Sequence, residues 1–203
     1  MEVVLATRNR KKAEELIDHL RVPGVRFKTL LEVPQQVEIR EEAHSFAENA
    51  REKAIATARL LGSWAIGEDS GLVVDALDGA PGPRSARFAG PQATDEENNR
   101  KLLELLRDVP LEKRTAHYVS HVVLADPQGN VIAEAEGRCY GLITQAPRGS
   151  HGFGYDPLFL VPEYHRTFGE LGLTVKRWLS HRARACEQLR PHLLRIAANR
   201  PDP

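Results

Sequence analysis

Ile66-Gly67-Glu68-Asp69-Ser70-Gly71-Leu72-Val73-Val74-Asp75 places two adjacent carboxylates and a hydroxyl between two apolar runs. Trp64-Ala65-Ile66 predicts a buried strand, and Leu72-Val73-Val74 predicts a second one. Carboxylates at the end of a buried strand are costly unless they serve a metal, a cation or a proton. Gly67 and Gly71 permit close backbone approach on either side. Glu68-Asp69-Ser70 is therefore the expected chemical centre, and the other polar clusters are weighed by whether they can converge on it.

The chain has 203 residues, 41% of them hydrophobic, enough for one core built as one domain or two tightly joined lobes. Lys+Arg and Asp+Glu each number 28. That balance disfavours a protein whose main work is coating nucleic acid. Cys139 and Cys186 match no metal-ligand spacing and read as reduced core thiols. No signal peptide, membrane span, repeat or low-complexity tract is visible, so a soluble cytoplasmic protein is expected.

Upstream of the centre, Val3-Val4-Leu5-Ala6 predicts a strand, and Ala13, Leu16, Ile17 and Leu20 share one face of a helix. Between them Thr7-Arg8-Asn9-Arg10-Lys11-Lys12 leads into the helix N-terminus, where backbone N–H groups and the dipole suit an anion. The competing reading is an ordinary N-cap with solvated basic residues. Ser45 and Glu48 have capping-box spacing, so a helix is predicted from Phe46 toward Leu60, with a small-residue face of Ala47, Ala50, Ala54 and Ala58. Glu41 and Glu42 before it are either solvated acids, or one of them stands beside Asp69 as an oxygen ligand for magnesium.

Downstream, the glycines and prolines after Asp78 predict a loop without regular structure, over a site or at a subunit contact. Thr94 and Glu97 form a capping box for a helix through Leu102 and Leu106. The run from Ala116 to Ala125 predicts a strand covered on both faces, and Pro127-Gln128-Gly129-Asn130 turns it into Val131–Gly137, a hairpin. Gly152-Phe153-Gly154-Tyr155-Asp156-Pro157 suits a rigid loop whose rings either stack on a nucleobase or plug the core. Ser180 is the expected N-cap of a last helix carrying His181 and Arg182 in its first turn, bent or interrupted at Pro191. The scattered histidines lack metalloprotease spacing, and Ser70 has neither a nucleophile elbow nor an obvious histidine partner, so covalent catalysis is disfavoured.

Six motifs stand in one order: Thr7-x-Asn9-x-x-Lys12, Phe46-x-Glu48-Asn49-Ala50-x-x-Lys53-Ala54, Glu68-Asp69-Ser70-Gly71-Leu72, Gly79-Ala80-Pro81-Gly82 with Ser85-Ala86-Arg87, Gly152 to Pro157, and Ser180-His181-Arg182. With them the chain closely resembles the inosine triphosphate pyrophosphatase family from residue 3 to about 195. It departs from the family at Leu173-Thr174-Val175, where acidic residues are usual, at Ala183, where glycine is usual, and in a shortened Glu41-Glu42-Ala43-His44 loop.

The resemblance implies an α/β fold with a long, curved mixed sheet flanked by helices in two lobes, and the nucleotide in a cleft between them. It implies one pyrophosphatase domain over 1–198 and a frayed tail over 199–203. The implied reaction is magnesium-dependent hydrolysis of ITP, dITP and XTP to the monophosphate and pyrophosphate, by a homodimer that binds neither membranes nor nucleic acid stably. By position, Thr7, Arg8, Asn9, Arg10, Lys11 and Lys12 would hold the triphosphate, helped by Lys53. Asp69 would be proton acceptor and metal contact, Glu41 the second metal carboxylate with Glu42 as the alternative, and Ser70 a substrate contact. Phe153, Gly154, Tyr155, Asp156, Lys176, His181 and Arg182 would surround base and sugar. Two other classes compete: a silent nucleotide-binding regulator, and a nucleic-acid binder using the arginines from Arg182 to Arg195.

Overall fold

The computed structural model describes residues 1–33 and 45–199. Glu41, Glu42 and residues 200–203 of the expected tail lie outside the described residues.

Strand β1 (Glu2–Leu5) runs into helix α1 (Arg10–Leu20) through the basic loop, and Asn9 is the N-cap, its Oδ1 accepting from the Lys12 amide at 3.2 Å. Strand β2 (Arg26–Thr29) follows, parallel to β1 with Val3 opposite Phe27. Its alternating charges concealed it from a hydrophobic reading, and as the first strand of the sheet it is an edge, where charge is favoured. Helix α2 (Phe46–Leu61) starts at Ser45, whose Oγ accepts from the Glu48 amide, and stops at Gly62 in the left-handed region.

The two strands expected around the carboxylates are one. Strand β3 runs unbroken from Trp64 to Val74, with Glu68, Asp69 and Ser70 at its middle. The polar triplet does not interrupt it because its carboxylates find donors brought from distant parts of the chain. Helix α3 (Asp95–Leu105), strands β4 (Thr115–Ala125) and β5 (Val131–Ile143), short strands β6 (Phe159–Val161) and β7 (Arg166–Thr167), and helices α4 (Phe168–Leu179) and α5 (His181–Ala198) complete the order. Strand β5 extends six residues past the expected end at Gly137, keeping its alternation of exposed and buried positions. The sheet order is β2-β1-β3-β4-β5-β6-β7. It is mixed: β1 pairs in parallel with β2 and β3, while β6 pairs antiparallel with β5 and β7.

The chain forms two compact units, one of residues 1–69, 120–137 and 182–203, the other of 70–119 and 138–181. In the first, strand alternation sends successive side chains to different helices. Val3, Leu5, Ile66, Val122 and Leu124 pack with Ala13, Leu16 and Leu20 of α1 and with Ala185, Cys186, Leu189 and Leu193 of α5. Ala65, Val123 and Ala125 pack against Ala50, Ala54 and Ala58 of α2. Here Gly67 is required: a Cβ on it would lie 2.1 Å from the Ala50 carbonyl oxygen and 2.6 Å from the Ala54 amide nitrogen. Helix α5 continues through Pro191 rather than stopping there.

In the second unit, Leu72, Val74, Leu102, Leu106, Tyr118, Ile143, Tyr155, Phe159 and Phe168 form the core. The Thr94–Glu97 capping box is present at the start of α3. Buried Arg114 closes the other end by donating to the carbonyls of Leu106, Val109 and Thr144. The proline-glycine loop is not wholly irregular, because Gly82–Arg87 is a 3-10 helix. Ser85 organises it: its Oγ accepts from the Leu72 amide at 2.8 Å and donates to the Gly82 carbonyl at 2.6 Å. Helix α4 went unanticipated, although Thr167 and Glu170 carry a capping-box spacing that the structure uses. Cys139 and Cys186 are free and buried.

Candidate active site

In the first unit, Glu68 and Asp69 follow one another along β3, so they point to opposite sides of the strand. Both are buried, 4% and 6% exposed. Asp69 follows Gly67 toward α2, where Asn49 and Lys53 stand one turn apart. Lys53 Nζ donates to Asp69 Oδ1 at 2.8 Å, and Asn49 Nδ2 donates to Oδ2 at 3.0 Å. Lys53 also reaches the Glu68 carbonyl at 3.3 Å. Each Asp69 oxygen thus has one strong donor and a second lone pair in hand.

Glu68 is addressed from helices α1 and α5 and from strand β4. Its Oε2 accepts from Lys12 Nζ at 3.0 Å, and its Oε1 accepts from Ser120 Oγ at 3.0 Å and from the Arg182 guanidinium at 3.0 and 3.2 Å. Arg182 also donates to Glu15 of α1. Burial works against the Arg182 charge, but the Glu68 and Glu15 carboxylates outweigh it and hold the guanidinium above its ordinary range. Beside it, burial pushes the Cys186 thiol well up, which makes it an inert core group.

The basic loop supplies Lys12 to this centre. Thr7 Oγ1 accepts from the Asn9 amide at 3.1 Å, so Thr7 and Asn9 both help hold the loop's own backbone. Arg8, Arg10 and Lys11 are exposed. The loop also lines an open cavity of about 270 Å³ with Ala13, Glu14, Ile17, Thr29, Leu31 and Glu32.

In the second unit, the Gly152–Pro157 loop turns around Asp156, which is 1% exposed. Its Oδ2 accepts from Lys176 Nζ at 2.7 Å and from the Phe153 amide at 3.0 Å, and Tyr118 Oη donates to Oδ1 at 3.4 Å. Gly152 has φ 81°, and a Cβ there would fall 2.0 Å from Asp156 Oδ2. Lys176 Nζ sits 4.4 Å from the centre of the half-buried Phe153 ring. The His181 ring stacks on Tyr118 at 4.7 Å. Tyr155 presents no free ring face: it is buried in the core, and its hydroxyl donates to the Ser85 carbonyl at 2.8 Å. Of the two aromatic readings, core plug holds for Tyr155. Ser70 lies in β3 at intermediate burial.

The structure therefore brings Lys12 and Arg182 to Glu68 on one side of β3 and Lys53 to Asp69 on the other, and in the second unit it gathers Phe153, Asp156, Lys176 and His181. The expected metal ligand Glu41, with its alternative Glu42, lies outside the described residues. Sequence reasoning gave no site role to Glu15 or Ser120 around Glu68, to Asn49 beside Asp69 although it stood in one of the six motifs, or to Tyr118 beside Asp156. Two of these carried a signal: Glu15 is three residues from Lys12 and Asn49 four from Lys53, on helical faces that the motifs already marked.

The family model of the Ham1 family matches residues 3–192. The chain belongs to the Ham1 family. Within it, a dITP/XTP pyrophosphatase of Rhodopirellula baltica is 49% identical over 195 residues, covering 96% of this chain and 94% of that protein. A dITP/XTP pyrophosphatase of Desulforamulus reducens is 46% identical over 196 residues, covering 97% of both. The solved structure of a HAM1 protein from Coxiella burnetii superposes with a TM-score of 0.86 at 38% identity, covering 96% of this chain and 99% of that one. This Ham1-family chain also matches the Ham1 protein of Staphylococcus aureus, with a TM-score of 0.85 at 34% identity over 95% and 98% of the two chains. Among the described residues, no helix is long and apolar enough to cross a membrane.

Proposed function

We propose that this protein hydrolyses dITP, ITP and XTP to the nucleoside monophosphate and pyrophosphate, removing deaminated purines from the nucleotide pool before they enter DNA or RNA. The observation that carries the reading is the Asp69 carboxylate, buried and gripped on both oxygens by Lys53 and Asn49, in a chain of the Ham1 family. Cleavage between the α- and β-phosphates needs an in-line water, a carboxylate to orient or deprotonate it, and positive charge for the leaving pyrophosphate. Asp69 fills the second role, fixed in direction by its two donors. Lys12 and Lys53 fill the third, helped by the amides of the Thr7–Lys12 loop.

The residues present fit magnesium. Asp69 offers hard carboxylate oxygens, and Asn49 Oδ1 is a buried carbonyl oxygen without a hydrogen-bond donor among the described residues. Charge supports the same reading: Lys12, Lys53 and Arg182 are matched by Glu15, Glu68 and Asp69, so an arriving triphosphate needs added positive charge. Asp69 and Asn49 would hold the ion, with Glu41 or Glu42. Bound there, magnesium would neutralise phosphate charge and lower the pKa of a bound water.

Phe153, Asp156, Lys176 and His181 are assigned to base and sugar. Hypoxanthine and xanthine carry an acceptor oxygen at position 6, where adenine carries an amino donor. Backbone N–H groups at the start of α5 would donate to the oxygen and mismatch the amine, which costs roughly 1–3 kcal/mol per unpaired buried group. The Arg182 side chain itself is assigned to anchoring Glu68, because its guanidinium is tied to two carboxylates. The family resemblance supports a cytoplasmic homodimer, to be checked by light scattering on the purified protein.

The test is pyrophosphate release from a panel of nucleoside triphosphates with and without magnesium. Release from ITP, dITP and XTP but not ATP, only with the ion, is expected; comparable ATP and ITP turnover at low concentration would refute the base reading. Asp69→Asn should abolish turnover while leaving nucleotide binding largely intact. Lost binding with normal turnover of the bound fraction would contradict the role given to Asp69.

A further inference from the structure

Gly154 lies between the two aromatics of the 152–157 loop, and α3 holds its backbone at both polar atoms. The Asp95 carboxylate accepts from the Gly154 amide at 2.7 Å. Asn99, one turn along α3, donates from Nδ2 to the Gly154 carbonyl at 3.0 Å. The same helix secures the neighbouring 3-10 segment through Asn98, which accepts from the Ala89 amide at 2.7 Å and donates to the Ala86 carbonyl at 3.1 Å. Tyr155 links the two loops through its bond to the Ser85 carbonyl. Burial and, after it, the Asp95 charge push the Tyr155 phenol up, so this hydroxyl stays a donor.

Neither Asp95 nor Asn99 is needed to start or stop α3. The Thr94–Glu97 box caps the N-terminus, and Arg114 serves the other end. Their polar atoms instead fix the two peptides on either side of the Gly154 Cα, the first of which joins it to Phe153 and the second to Tyr155. Gly154 has φ 62°, a conformation with no side chain of its own to lock it.

We infer that Asp95 and Asn99 are positioning residues for purine recognition: by clamping both sides of Gly154 they hold the Phe153 ring and the Asp156 carboxylate in the arrangement that receives the base. The inference rests on the assignment of Phe153 to the base. It predicts that the clamp governs affinity for the base-bearing substrate and leaves phosphate chemistry alone.

Steady-state kinetics with ITP test it. Asp95→Ala and Asn99→Ala should each raise KM about tenfold, the effect of one hydrogen bond of this kind, with kcat within about twofold of wild type. Asp95→Asn keeps an acceptor oxygen and should recover most of the affinity, and Asn99→Asp, which keeps the shape but removes the donor, should behave as Asn99→Ala does. Inhibition by inorganic tripolyphosphate, which has no base, should be unchanged in all four. Circular dichroism identifies any variant that fails to fold, and the conservative pair then decides. Unchanged KM in folded variants, or a parallel loss of tripolyphosphate binding, overturns the clamp. Phe153→Ala separates the two readings: if it raises KM while the clamp variants do not, the clamp alone is wrong, and if it leaves KM unchanged, the base assignment falls.

Discussion

Replacing Gly67 by alanine should damage stability and catalysis together, because one close approach underlies both. The added Cβ would meet the Ala50 carbonyl oxygen at 2.1 Å and the Ala54 amide nitrogen at 2.6 Å, where ordinary contact begins at 3.4 Å. The obstructing atoms are main chain, so no rotamer change removes them. Helix α2 must retreat from β3 by about 1 Å, and overpacking of this kind costs roughly 1–3 kcal/mol. The same retreat draws Asn49 and Lys53 away from Asp69. A bond now 2.8 Å long would stretch to roughly 3.8 Å, outside hydrogen-bonding range. Misplacement of about 1 Å can cost on the order of 10²-fold in rate.

The assay pairs a urea midpoint with kcat for ITP, measured on Gly67→Ala alone and with Ala54→Gly. The second change removes the Ala54 Cβ, which stands 3.1 Å from the new methyl, but leaves both backbone obstructions. No rescue is expected. A Gly67→Ala protein with wild-type midpoint and turnover, or full rescue by Ala54→Gly, would show that helix and strand do not meet through their backbones here.

Arg182→Met should destabilise the fold by about 3–5 kcal/mol in urea unfolding, since it removes the buried guanidinium that pairs with both Glu68 and Glu15, and Arg182→Lys should not restore it, lacking the fork that serves both. Acid should weaken the protein in a defined direction. Glu97 and Glu170 are held below the usual 4.5, first by backbone bonds from Thr94 and Thr167, and Glu134 likewise, first by its bond from Arg51. A depressed folded pKa contributes stability that is present above the unfolded value and lost as pH falls through the folded one. Denaturation midpoints should therefore drop progressively below about pH 4.5, and Thr94→Ala, which keeps the backbone donor and loses only the hydroxyl, should lower the plateau and flatten that dependence only in part.

What could be read in the sequence was what local chemistry decides. Ser45 and Thr94 marked helix starts because a cap and its partner lie three residues apart, and the buried run of β4 announced itself by composition. Strand β2 escaped because Arg26 and Lys28 occupy an edge, and α4 because a glycine pair masks its periodicity. The partners of the site escaped for a different reason. Ser120 and Arg182 reach Glu68 from 52 and 114 residues away, and no spacing rule covers that distance.

The largest revision concerns the carboxylate pair. Adjacent in sequence, Glu68 and Asp69 invited a single role, but strand alternation turns them to opposite sides of β3 and gives them different company. Glu68 accepts from four donors on α1, β4 and α5, and a carboxylate so fully committed is an anchor that gathers those elements. Among the described residues Asp69 accepts from two side chains, both on α2, which leaves a lone pair on each oxygen for the ligand proposed above. Lys12 and Lys53 divide in the same way. Lys53 is tied to Asp69 at 6% side-chain exposure, whereas Lys12 is 20% exposed, and on the proposed reading it would exchange Glu68 for a phosphate while Arg182 and Ser120 continue to hold the glutamate. The members of the pair are therefore not equivalent: one carboxylate is satisfied by the fold, and the other is the one the proposed hydrolysis assigns to the substrate.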